Sequence, residues 1–115
     1  MTKEWITYQV KESVRKIDPK AKVILFGSKA RGDNKKDSDW DFLILTSQKV
    51  NEKLKRTIRE NLIDTELEAE EVISTLIYSK KSWTNYKNTP LFENISSEGI
   101  EIKKIKKRIL SSIEL

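Results

Sequence analysis

The chain contains no cysteine and no histidine. The first absence removes disulfide frameworks, cysteine-ligated zinc and thiol nucleophiles. The second removes the Ser-His-Asp triad, most zinc sites and the commonest general base. With three glycines and two prolines in 115 residues, no flexible or proline-rich linker divides the chain, and no internal repeat is visible. No apolar run approaches the roughly 20 residues of a membrane-spanning helix. The start, Met1-Thr2-Lys3-Glu4-Trp5, lacks the apolar stretch and small-residue cleavage site of a signal peptide. A cytoplasmic protein without a membrane partner is therefore expected. Any catalysis must rest on carboxylates, hydroxyls, basic side chains and a hard metal ion.

What is present is charge: 36% of residues are charged against 37% hydrophobic, and the net charge is +5. This length and balance predict one compact domain over 1–115, a modest core under a charged surface. Residues 103–108 form a basic block, while 60–71 carry Glu60, Asp64, Glu66, Glu68, Glu70 and Glu71 with no lysine or arginine. The basic block lacks the interleaved aromatics that nucleic-acid binding uses, so it reads as a solvated helix face, and nucleic acid is not the expected partner.

Ile6, Val10, Val14 and Ile17 recur at the spacing of one helix face, and Asp18-Pro19 stops that helix. Val23 to Phe26 is a continuous apolar run closed by Gly27, which predicts a buried strand. A polar turn or short helix follows to residue 38, then a second strand over 39–45. Val50, Leu54, Ile58 and Leu62, with Asn51 as cap, predict an amphipathic helix over 50–68. Val72 to Tyr78 reads as a third strand. Helices are expected at Ser82–Lys87, at Pro90–Glu98 ended by Gly99, and at about 103–113 on the stripe Ile105, Ile109 and Ile113. The order predicts an α/β (α+β) domain with a small mixed sheet and flanking helices.

One segment carries chemistry. Gly27 and Ser28 end a buried strand where a helical turn can begin, so the backbone can approach a phosphate closely and the hydroxyl can donate to it. Asp39 and Asp41, two apart on a strand, project from one face. Two crowded carboxylates repel unless a cation sits between them, and magnesium takes one or two carboxylates plus substrate phosphates. Alone, a Gly-Ser pair is usually a turn and an Asp-x-Asp a solvated strand end. Together, at the ends of adjacent apolar strands, they point to a nucleotide site. Arg31 reads equally as a phosphate ligand or a surface residue. Trp40, on the opposite face from Asp39 and Asp41, is expected to pack beneath the sheet.

Gly27-Ser28-Lys29-Ala30-Arg31-Gly32 followed by Ser38-Asp39-Trp40-Asp41 resembles the signature of the DNA polymerase beta-like nucleotidyltransferase superfamily. Within it, the short chain is similar to the minimal nucleotidyltransferases. The resemblance implies a nucleotidyltransferase fold and magnesium-dependent transfer of a nucleoside monophosphate, usually AMP from ATP, to a hydroxyl. It gives Gly27, Ser28 and Arg31 to the nucleotide, and Asp39 and Asp41 to catalysis and metal binding. The family normally adds a third carboxylate from the next strand. Here the matching position is Ser74, and Glu70 or Glu71 could substitute only if that strand started earlier.

The resemblance also implies a second class of function. Minimal nucleotidyltransferases often pair with a helical protein of the higher-eukaryote-and-prokaryote nucleotide-binding (HEPN) family in toxin–antitoxin systems, as the neutralising component. A chain without a domain for recognising an acceptor favours such a partner, or self-association into a homo-oligomer.

Overall fold

The computed structural model describes residues 2–33 and 37–103. Helix α1 spans Lys3–Arg15, capped by Thr2, whose hydroxyl accepts from the Trp5 N–H at 3.1 Å. Strand β1 (Lys22–Phe26), the single helical turn α2 (Ser28–Arg31) and strand β2 (Trp40–Thr46) follow. Helix α3 (Glu52–Ala69) starts at Asn51, whose side chain accepts from the Leu54 N–H at 2.8 Å. Strand β3 (Ile73–Ser79), helix α4 (Lys80–Trp83) running into a 3₁₀ turn (Thr84–Tyr86), helix α5 (Pro90–Glu98) and strand β4 (Ile100–Ile102) complete it.

The sheet has the order β3-β2-β1-β4; β1 is antiparallel to β2 and β4, and β2 is parallel to β3. It is the expected mixed sheet with one strand more. The α1 stripe Ile6, Val10 and Val14 is buried as its spacing predicts, and it packs with Ile58 and Leu62 of α3 against Val23, Leu25, Trp40, Phe42, Ile44 and Ile77. The opposite face holds Leu43 and Leu45 against Trp83 and Ile95, with Tyr78, Tyr86 and Phe92 around them. Both faces are covered, which is why Phe42 to Leu45 reads as an unbroken apolar run.

Several boundaries differ from the sequence reading. α1 ends at Arg15, although Ile17 beyond it still packs on the core. β2 and β3 each begin one residue later than expected. The Ser82–Lys87 helix is instead α4 plus the 3₁₀ turn, started by Ser79, whose side chain accepts from the Ser82 N–H at 3.1 Å. β4 went unread because three residues are too few to show a pattern. The helix expected at 103–113 lies outside the described residues but for Lys103. Among the described residues, no helix is long and apolar enough to cross a membrane.

Candidate active site

The antiparallel register of β1 and β2 sets Phe26 opposite Asp41, so the turn leaving β1 meets the start of β2. Gly27 adopts φ 75° and ψ −161°, a conformation open to glycine alone, and a Cβ built there would collide with Asp41 Oδ2 and stand 3.3 Å from Cγ. The Gly-Ser turn therefore touches Asp41 near the start of β2, while Asp39, expected on the same strand, lies one residue before it. Gly27 O accepts from both the Ala30 and Arg31 N–H groups at 3.1 Å, and Gly32, at φ 83°, closes the turn in the left-handed conformation. With four residues, α2 offers local donors, the Ser28 hydroxyl first, rather than a helix dipole.

By two-residue alternation Asp41 shares the sheet face of Leu43 and Leu45, at the edge of what α5 covers, so it is half-buried while Asp39 is exposed. Burial pushes the Asp41 carboxyl above the ordinary carboxylate range; the charge of Asp39 adds to this, Arg31 opposes it and Glu98 adds again. Asp41 is thus a carboxylate short of positive charge. Trp40 points the other way into the core, 6% exposed, with Lys29 Nζ 4.9 Å from its ring centroid. It packs beneath the sheet as expected.

Arg31 does not hang free in solvent. Its Nη1 donates to Glu98 Oε2 at 2.6 Å and its Nε to Asp33 Oδ2 at 3.1 Å. Glu98, the last residue of α5, is the partner of Arg31 that sequence reasoning missed. It lies 67 positions from Arg31, and nothing in its local pattern marks it.

No acid lies in β3. The parallel register sets Ser74 directly opposite Asp41, the position that the family resemblance matches to a third carboxylate. Since β3 starts at Ile73, Glu70 and Glu71 precede it: Glu70 caps α3 at φ 54°, and Glu71 follows in the connection. Glu66 Oε2 is taken up by the Ile73 N–H at 3.0 Å. Among the described residues, no group of three or more Asp, Glu, His or Cys is placed to hold a metal ion. The donor set is two carboxylates, all oxygen and under-compensated. This suits magnesium, which keeps waters and takes the rest of its shell from substrate phosphates, and not a metal needing a protein cage.

The chain resembles several known proteins. A protein of Methanocaldococcus jannaschii named "Putative protein adenylyltransferase MJ0141" is 35% identical over 81 residues, covering 70% of this chain and 77% of that protein. Among solved structures, the crystal structure of a toxin-antitoxin with AMP-PNP superposes with a TM-score of 0.62 at 16% identity, over 98% of this chain and 83% of that one. A mutant of the toxin-antitoxin MntA-HpeT gives 0.59 at 14% identity, over 94% and 82%. At such identities these two speak for the fold. Residues 8–112 match the nucleotidyltransferase domain, a span that takes in both halves of the site, and the chain belongs to that family.

Proposed function

We propose that this protein transfers a nucleoside monophosphate, AMP from ATP, to a hydroxyl group of a partner protein or small molecule, with magnesium bound at Asp39 and Asp41. The observation that carries the reading is the contact of Gly27 with the Asp41 carboxylate. It brings the Gly27-Ser28 turn and the start of β2 to one point, as binding a phosphate beside a metal ion requires. Ser28 and Arg31 hold the triphosphate tail, and the acceptor oxygen attacks the α-phosphorus. A new O–P bond forms as the bond between the α-phosphorus and the bridging oxygen breaks, and pyrophosphate leaves. Magnesium, when bound, neutralises the phosphates and stabilises the leaving group. The protein's part is positioning and fixed charge. The proton of the acceptor hydroxyl has no carboxylate on β3 to receive it, since Ser74 stands beside Asp41, and it passes to water. Transfer is therefore expected to be slow.

That same feature favours a second, compatible reading: a weakly active nucleotide-site module that works as the antitoxin partner of a helical HEPN-type protein. The likeness to toxin-antitoxin structures supports it, whereas the name of the Methanocaldococcus relative, for protein adenylylation, supports transfer to a protein. We place the whole chain in a single domain, with self-association as the alternative to a partner.

The test is transfer of label from α-labelled ATP, in magnesium and after chelation, with and without a co-purified helical partner. Magnesium-dependent labelling of the partner or of the chain itself supports the enzyme. Stable complex formation without labelling supports the module. The absence of both labelling and magnesium-dependent ATP binding would overturn the reading.

A further inference from the structure

We infer that Glu98 is a positioning residue for the nucleotide site: it holds the Arg31 guanidinium in place beside Asp41 to receive the triphosphate. This rests on the proposed function and names a residue of the same site that acts through another. Three observations carry it.

The first is placement. Glu98 ends α5 where the chain turns tightly onto β1: a Cβ on Gly99 would stand 2.5 Å from Ile95 O and 2.8 Å from Ile24 Cγ2. The next residue, Ile100, pairs with Leu25. β4 thus fixes Glu98 against the strand whose end carries Gly27 and Ser28. The carboxylate is 17% exposed, whereas Arg31 is 46% exposed.

The second is geometry. Asp33 takes the Nε–H and Glu98 one Nη1–H. Five N–H donors project from the planar fork, so these two bonds clamp it while leaving others for phosphate oxygens. Arginine carries much rotamer freedom, and a clamp removes that entropy before the ligand arrives.

The third is what Glu98 does not do. It belongs to no three-acid group placed for a metal ion among the described residues. An ion pair with so exposed an arginine adds little stability. Placed near Asp41, the acid raises negative charge in a site meant for a triphosphate. If Glu98 acted only through its charge, removing it would tighten nucleotide binding. As a clamp, removing it weakens binding.

Calorimetric titration of Mg-ATP and of AMP into the full chain separates these. Glu98→Gln keeps the size of the side chain, and Glu98→Ala is the second variant should the first fail to fold. Mg-ATP affinity is expected to fall roughly 2- to 12-fold, the cost of ordering one long side chain, with AMP affinity unchanged. On an Arg31→Ala background the Glu98 change should cause no further loss. Unchanged or tighter Mg-ATP binding by the single variant would overturn the inference, as would a loss that persists without Arg31 or a melting temperature that falls in step with affinity. If the wild-type chain binds no Mg-ATP, the proposed function fails and the inference with it. If the wild type binds and the Glu98 variants bind equally well, only the inference fails.

Discussion

The Asp41 carboxylate lies against the Cα of Gly27, in space that any side chain on Gly27 would fill. Gly27→Ala should therefore act twice. The alanine must hold a backbone conformation that costs about 1–3 kcal/mol, and its methyl must displace the Asp41 carboxylate. The expected outcome is a melting temperature lower by roughly 4 °C or more, together with loss of magnesium-dependent ATP binding. A variant of unchanged stability and affinity would show that the close approach is incidental.

Asp39→Asn combined with Asp41→Asn should abolish magnesium-dependent nucleotide binding and leave the fold intact. Because burial, Asp39 and Glu98 hold the Asp41 carboxyl above its usual range, the native state binds a proton more readily there than the unfolded chain does. Stability contributed at this position is present at low pH and is lost as pH rises through the raised value. The double variant should match or exceed the wild type in melting temperature at neutral pH, and the difference should close in acid. A large loss of stability at neutral pH would assign the pair a structural role.

Asp18 has the opposite sign. It is 3% exposed and accepts from Ser47 N and Ser47 Oγ, both at 2.7 Å, and from Lys20 N at 3.1 Å, tying the turn before β1 to the loop after β2. Burial would raise its pKa, but these hydrogen bonds outweigh burial and hold it below the ordinary 3.8. Its stabilisation is complete above that value and disappears as pH falls through the lowered one. Asp18→Ala should cost about 1.5–3 kcal/mol near neutrality, typical for hydrogen bonds to a charged group. Denaturant melts at successive pH values should show the wild type and the variant converging only in strong acid.

These residues also show how much a sequence can carry. The meeting of Gly27 and Asp41 could be read because each sits at the end of an apolar strand, where small and acidic residues have no packing role. Asp18 was legible as a helix stop next to Pro19, but its bonds to Ser47 span 29 positions and depend on which strands pair. Glu98 was invisible for the same reason. Its link to Arg31 exists because β4 returns along β1, and three residues, Ile100 to Ile102, show no alternation long enough to reveal a strand. Ser74 is the converse case: the family pattern named the position, and the parallel register places it opposite Asp41.

That pairing makes Ser74→Asp the sharpest test of catalysis. An aspartate there would put a third carboxylate beside Asp41, on the strand edge where an acceptor hydroxyl could reach it. General-base assistance of this kind is worth roughly 10²–10⁴-fold in rate, so AMP transfer should rise while Mg-ATP affinity changes little. The added charge would raise the Asp41 carboxyl further and lower stability at neutral pH, an effect that magnesium should reverse. Single-turnover transfer by the wild type, Ser74→Asp, Glu70→Gln and Glu71→Gln separates the possibilities. Faster transfer by Ser74→Asp alone identifies the missing base. Transfer abolished by Glu70→Gln or Glu71→Gln would show that the connection before β3 moves an acid into the site. Brisk wild-type transfer, untouched by either glutamate change and not improved by Ser74→Asp, would show that Asp39 and Asp41 suffice.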